Sequence, residues 1–173
     1  GYSDGFWEES DVELPAFSRM HFIFSDVRDD LSVGADVRNA PETDGRDDHR
    51  YPFITCELGG GMAVAYHRRP HVDSADIAAL ALTKLGSRSA WQGYYMFVGG
   101  RNPAPGLQES IDTGYPNDMP EFGYDFHAPI GQSGDLADSA PLLRTQHAFL
   151  DAFGDRLARM RSSLPDERAA SLD

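Results

Sequence analysis

Glu57 is the residue whose type and position most suggest chemistry. It stands near the end of Tyr51–Leu58, a run whose aromatic and β-branched residues are typical of a buried strand, and glycines 59 to 61 follow directly. Catalytic side chains of parallel α/β barrels lie at the carboxyl ends of the strands. The position therefore predicts a functional carboxylate. The alternative without a function is a carboxylate on an edge strand that faces water.

Neighbouring residues offer weaker candidates for chemistry. His67 and His71 have the spacing of two metal ligands on one helix, but Pro70 would break that helix. Cys56 has no histidine nearby in the sequence to deprotonate it, and it is predicted to be a packed core thiol. We predict neither a metal site nor a cofactor.

The three glycines after Glu57 do not have the pattern of a phosphate-binding loop. Gly59 to Gly61 lack the lysine and hydroxyl residue that complete such a loop, and they do not begin a helix. The alternatives are a tight turn or a close approach of the backbone to a ligand.

The second half of the chain is rich in aromatic residues. Packing in the core is sufficient to explain Trp91, Tyr94 and Phe97. Tyr95 and Tyr124 flank glycine-rich turns, and a tyrosine has an apolar ring for stacking and a hydroxyl for hydrogen bonding. These two residues are therefore candidates for binding a polar ligand such as a sugar, with packing as the alternative.

A strand, a helix and a second strand are predicted around these residues. The helix is expected to begin at Asp73 or Ser74 and to end at Gly86, and the second strand is the apolar run Gly93–Val98. This order is typical of a parallel crossover unit. Parallel sheets are almost always covered on both faces, and a single crossover helix cannot cover both faces of a two-stranded sheet. We therefore interpret the chain as a piece of a larger α/β domain.

The remainder of the chain contains one more predicted helix. An irregular segment extends from Arg101 to about Asp138, and a helix then begins at Asp138 or Ser139 and ends near Gly154. It is expected to bury a set of mainly apolar residues: Leu142, Leu143, Gln146, Phe149 and Leu150.

The composition excludes several classes of function. The formal net charge is −13, from 15 Lys plus Arg and 28 Asp plus Glu, which disfavours nucleic acid and anionic lipid as partners. A single cysteine cannot form an internal disulfide. The longest apolar runs are shorter than the roughly 18 to 20 residues that cross a bilayer, and residues 1–5 do not have the pattern of a secretory signal.

The order of motifs over roughly residues 2–155 resembles glycoside hydrolase family 35, in a bacterial β-galactosidase-like branch. The matching segments are Tyr51-Pro52-Phe53-Ile54-Thr55-Cys56-Glu57-Leu58-Gly59-Gly60-Gly61-Met62, Tyr66-His67-Arg68-Arg69-Pro70, Gly93-Tyr94-Tyr95-Met96-Phe97-Val98-Gly99-Gly100, Gly114-Tyr115-Pro116-Asn117-Asp118 and Tyr124-Asp125-Phe126-His127-Ala128-Pro129-Ile130.

The resemblance implies that residues 1–155 are the C-terminal portion of a (β/α)8 TIM barrel, in effect its last two βα units with long loops, and that 156–173 are a tail. It further implies that Glu57 is the nucleophile of a retaining hydrolase of terminal β-galactosides. Tyr95 and Tyr124 would line the galactose pocket. The implied partners are a carbohydrate substrate and the remainder of the barrel.

The sequence departs from the family pattern in features that affect catalysis and specificity. The Glu-Asn-Glu-Tyr type motif that carries the acid/base glutamate is not in this sequence, so the fragment alone is expected to be inactive. Val98 replaces a common histidine, and Arg101 replaces a small hydroxyl residue. Two alternatives follow, a non-catalytic carbohydrate-binding or structural remnant and a hydrolase of another β-glycoside.

Overall fold

The computed structural model describes residues 21–24, 52–60, 71–103 and 122–167 of the chain. The side chain of Tyr124 is outside this description, as are His67 and Gly61. Predictions that fall on these positions are therefore outside the described residues.

A parallel strand-helix-strand unit forms the centre of the described structure. Strand β1 (Phe53–Leu58) pairs in parallel with β2 (Ser89–Tyr94), and helix α1 (Ser74–Gly86) connects them. Two irregularities interrupt the pairing, and the second lies between Thr55 and Leu58. The predicted crossover unit is therefore present among the described residues.

Helix α1 begins and ends where its sequence predicts. The Asp73 side chain accepts a hydrogen bond from the backbone N–H of Ala75 at 2.7 Å, which satisfies one of the free N–H groups of the first turn. Gly86 is the last helical residue. An added methyl group there would collide with the ring of Phe24, so only glycine allows that ring to pack against the helix end.

Strand β2 differs from its prediction. The run Gly93–Val98 was expected to be a strand, but β2 begins at Ser89 and ends at Tyr94. Tyr94 pairs with Leu58, the last residue of β1, so the chain beyond it has almost no partner strand. Because a strand requires a neighbour to accept its hydrogen bonds, an apolar run does not extend the sheet by itself.

The C-terminal helix α2 (Ser139–Leu157) is longer and more exposed than predicted. It continues past Gly154, and Leu143 is its one buried apolar residue. The expected burial of Leu142 and Phe149 is wrong, because their side chains are 42% and 47% exposed. Among the described residues, α2 contacts α1 through a narrow strip. The amide of Gln146 donates to the carbonyl oxygen of Ala78 at 2.8 Å.

Two short antiparallel strands follow the central unit. Strand β3 (Gly100–Arg101) pairs with β4 (Gly123–Tyr124). Beyond α2, residues 158–167 contain neither helix nor strand.

The core lies between β1, α1 and α2. It contains Leu58, Ile77, Ala78, Leu80, Ala81 and Leu143, with Phe22, Val72 and Tyr94 packed against it. The described part has mixed α/β structure, and its membership of a partial (β/α)8 barrel stays a prediction. Within the described ranges, no helix is long and apolar enough to cross a membrane.

Candidate functional site

The carboxyl ends of β1 and β2 lie side by side, because the strands are parallel. The backbone N–H of Tyr95 donates to the carbonyl oxygen of Leu58 at 2.8 Å, which continues the pairing one residue past β2. Glu57 and Tyr95 are therefore each within one residue of the same hydrogen bond. Ligands of parallel α/β structures bind at this edge of the sheet.

The Glu57 side chain is exposed at this edge. The irregular register between Thr55 and Leu58 surrounds it, and such irregularities redirect side chains and occur often beside active sites. Within the described part of the chain, no hydrogen bond or ion pair holds the Glu57 carboxylate. A carboxylate in this state can attack or bind a ligand, and it also fits the edge carboxylate that faces water.

Tyr95 is half-buried at the same edge of the sheet and contacts a second aromatic ring. Its ring centroid is 5.7 Å from that of Phe126 with the planes tilted by 50°, a favourable arrangement for an aromatic pair. The peptide bond between Tyr95 and Met96 is cis. The same edge of the sheet thus carries an exposed carboxylate, Glu57, and an aromatic pair, Tyr95 with Phe126.

The segment that contains Tyr124 pairs with strand β3, which follows β2 in the chain. Tyr124 pairs with Gly100, and the backbone N–H of Asn102 donates to the carbonyl oxygen of Phe122 at 2.8 Å. The Asp125 carboxylate accepts a hydrogen bond from the backbone N–H of Gln132 at 2.8 Å. The backbone of Tyr124 is therefore fixed beside β3, and its side chain lies outside the description.

His127 joins this segment to the glycine turn after Glu57. Its Nδ1 is 3.0 Å from the carbonyl oxygen of Gly60. Phe126 and His127 have φ angles of +44° and +56°, in the left-handed region that favours glycine. His127 is a site residue that sequence reasoning missed. No local sequence pattern indicates its backbone conformation or its contact with Gly60.

The glycine turn is partly as predicted. Gly59 has a φ of +109°, a conformation that favours glycine, and the backbone bends there. A Cβ at Gly60 would lie 2.7 Å from the Cβ of His127. Gly60 therefore permits the close approach of a protein side chain, where a ligand was one of the alternatives.

Val98 and Arg101, the two residues that depart from the family pattern, both contact the segment 122–130 that contains Tyr124. Val98 is 51% exposed and forms a parallel bridge with Ile130. The Arg101 guanidinium is 5.7 Å from the centre of the Phe122 ring, within the range of a cation–π contact.

Two packing predictions are wrong. Cys56 is exposed rather than buried in a core. Trp91 is 67% exposed, and the described residues leave its face of the sheet uncovered. Phe97 is 37% exposed, but its ring packs against Tyr94 and stacks on His147. Tyr94 packs against the core as predicted, and its hydroxyl lies 2.9 Å from Nε2 of His147.

The described residues contain no cluster of three or more His, Cys, Asp or Glu side chains that could hold a metal ion. His67, one member of the predicted histidine pair, is outside the description.

Comparisons of the chain with family models, with curated proteins and with solved structures found no match. The resemblance to glycoside hydrolase family 35 therefore stays a prediction from the sequence motifs.

Proposed function

We propose that this chain is part of a retaining β-galactosidase-like glycoside hydrolase that cleaves terminal β-galactosides, with Glu57 as the nucleophile. One observation carries the proposal. The hydrogen bond from Tyr95 to Leu58 brings the predicted nucleophile and a predicted sugar-binding tyrosine to the same edge of a parallel sheet. The motif resemblance supplies the reaction and the sugar.

In the proposed reaction the Glu57 carboxylate attacks the anomeric carbon of the galactoside. The bond to the leaving-group oxygen breaks while a second carboxyl group protonates that oxygen. Water then hydrolyses the glycosyl ester with help from the same group acting as a base, which retains the anomeric configuration. The exposure of Glu57 supports this role, because the nucleophile must reach the sugar.

The second carboxyl group has to be about 5 to 5.5 Å from Glu57 in a retaining enzyme. The sequence contains no Glu-Asn-Glu-Tyr motif, so we assign the acid/base residue to another part of the parent barrel. We therefore expect the chain alone to be inactive. The species to assay is the parent protein, by which we mean the longer protein that contains this chain together with the rest of the proposed barrel.

Tyr95 and Tyr124 are the proposed binding residues for galactose. The Tyr95 ring is half-buried next to Phe126, which limits its motion and leaves part of it accessible. The backbone pairing of Tyr124 with Gly100 supports its placement near the same edge. Sugar sites of this kind combine an aromatic face with a few polar groups.

The test is hydrolysis of nitrophenyl β-galactoside by the parent protein and by its Glu57→Gln variant. Glutamine preserves the shape of the side chain but cannot form the glycosyl ester, so we expect kcat to fall on the order of 10⁴-fold. Asp151→Asn is the matched control, because it also removes one exposed carboxylate, on α2, and it should retain activity.

Equal activity of the Glu57→Gln variant and the parent would refute the nucleophile assignment. If neither protein cleaves any glycoside and both still bind galactose, the non-catalytic carbohydrate-binding remnant replaces the hydrolase. That alternative draws support from the missing acid/base motif. A panel of other nitrophenyl β-glycosides distinguishes hydrolysis of galactosides from hydrolysis of another sugar.

A further inference from the structure

His127 is fixed in one orientation by its contact with the glycine turn. Its Nδ1 is 3.0 Å from the carbonyl oxygen of Gly60, and a carbonyl oxygen can only accept a hydrogen bond. Nδ1 must therefore carry the proton. In the neutral ring Nε2 then has a free lone pair and acts as an acceptor.

The residues around His127 leave room for its side chain and hold its backbone in place. Gly60 has no side chain, and a Cβ at that position would lie 2.7 Å from the Cβ of His127 and 3.1 Å from Cγ1 of Val72. The backbone N–H of Ala128 donates to the carbonyl oxygen of Asp125 at 2.8 Å, which closes the turn around His127.

The backbone of this turn is in an unfavourable conformation. Phe126 and His127 are consecutive non-glycine residues with positive φ angles, a conformation that is sterically unfavourable for residues with a Cβ. Strained conformations of this kind are concentrated in functional sites, where the surrounding structure holds them in place. The strain is located at the carboxyl edge of the sheet, since Gly60 follows Glu57 by three residues and Phe126 contacts Tyr95.

The His127 side chain is exposed, and within the described residues its Nε2 has no hydrogen-bond partner. We infer that His127 is a specificity-determining residue whose Nε2 accepts a hydrogen bond from one hydroxyl group of the sugar. This inference rests on the proposed function. It identifies the substrate group as a hydroxyl, because an unprotonated imidazole nitrogen requires a donor.

The experiment measures kcat/KM of the parent protein on nitrophenyl β-galactoside and on its deoxy analogues, which lack the hydroxyl at C2, C3, C4 or C6. The variant is His127→Asn. The asparagine amide can donate to Gly60 from the position of Nδ1 and tolerates a left-handed backbone, but it has no counterpart of Nε2.

The expected result is specific to one hydroxyl. His127→Asn should lower kcat/KM on the intact galactoside about tenfold, the value of one good hydrogen bond. Removing the contacted hydroxyl should lower kcat/KM of the parent protein by a similar factor and have no effect in the variant. The other deoxy analogues should lower kcat/KM equally in both proteins.

Two further variants separate binding from packing. His127→Gly accepts the left-handed backbone and removes the whole side chain, so it should lose the same hydroxyl preference if His127→Asn fails to fold. His147→Asn removes an imidazole that contacts the Tyr94 hydroxyl and, within the described residues, has no hydrogen bond to the glycine turn. Any effect of that control should be the same on every analogue.

If the parent protein is active and requires Glu57 but His127→Asn retains the full pattern of deoxy penalties, His127 only packs against the turn and the inference is wrong. If the parent protein hydrolyses no glycoside, the proposed function fails and the role of His127 in substrate binding fails with it.

Discussion

At the scale of single residues, the close contact between Gly60 and His127 predicts that a larger residue at position 60 destabilises the protein. Gly60→Ala places a methyl group 2.7 Å from the Cβ of His127, so the turn or the histidine must move. We expect a loss of about 1 to 3 kcal/mol in the free energy of unfolding, as for other overpacked sites. Denaturant unfolding of the parent protein measures it.

A double-mutant cycle gives the control for this prediction. Adding His127→Gly removes the colliding Cβ and should recover part of the loss, because the two residues are in direct contact. Gly100→Ala is the matched single variant, since no heavy atom lies within 4 Å of the added Cβ. Equal losses at Gly60 and Gly100 would contradict the packing described for the turn.

Tyr94 makes stability depend on pH in the alkaline range. Burial raises the pKa of Tyr94 to about 12, from an ordinary value of 10.0. Between these values the unfolded chain releases the phenol proton first and the folded chain keeps it. Stability should therefore be intact below pH 10 and fall as the pH rises towards about 12.

Tyr94→Phe isolates this effect. The variant lacks the phenol, so its unfolding free energy should fall less steeply over the same pH range. Burial also lowers the pKa of Lys84, which lies 3.2 Å from Nδ1 of His21, and that group gives the opposite slope. Lys84 is present in both proteins, so its contribution cancels when the pH dependence of the unfolding free energy of Tyr94→Phe is subtracted from that of the unmutated protein. Identical slopes would show that Tyr94 ionises equally in both states.

Sequence reasoning at the residue scale worked where local patterns decide the outcome. The glycine turn and the place of Glu57 at the end of a strand follow from residue types. Cys56 was expected in a core and is exposed, because burial depends on what covers the sheet. His127 was missed because its partner, Gly60, lies 67 residues away in the sequence.

Helix α1 offers a prediction at the scale of elements. The Asp73 carboxylate caps its first turn through Ala75, so Asp73→Ala should destabilise the protein by about 0.5 to 2 kcal/mol. Asp73→Asn keeps an acceptor at the cap and should lose much less. Thermal unfolding of both variants measures the difference. Equal destabilisation would indicate that the charge of Asp73, rather than the hydrogen bond, stabilises α1.

Local sequence signals predicted the bounds of some elements and not of others. Both ends of α1 were predicted correctly, since a capping aspartate and a terminal glycine are local signals. β2 was placed four residues too late, because its end is determined by the end of β1 rather than by its own composition. The narrow contact strip of α2 likewise depends on its neighbours.

At the scale of the whole molecule, the uncovered face of the sheet supports a larger barrel. Ile54 and Trp91 pair in register and are 54% and 67% exposed, whereas parallel sheets are normally covered on both faces. This surface is expected to be covered by the remainder of the proposed barrel.

Labelling of Cys56 tests that expectation. It is the single cysteine of the chain and is exposed. With a maleimide and peptide mapping by mass spectrometry, Cys56 should react readily in this chain alone and much more slowly in the native parent protein. Cys56→Ser gives the unlabelled control. Equal rates in the two proteins would contradict the partial-barrel interpretation.

The most direct measurement of the central claim is covalent trapping of the nucleophile. A β-galactoside with fluorine at C2 and a good leaving group forms the glycosyl ester readily and hydrolyses it slowly, so the ester accumulates. After treatment of the parent protein, we expect a single fluorogalactosyl group on the peptide that contains Glu57. Labelling of a different carboxylate, in a protein that is inactivated by the reagent, would contradict it.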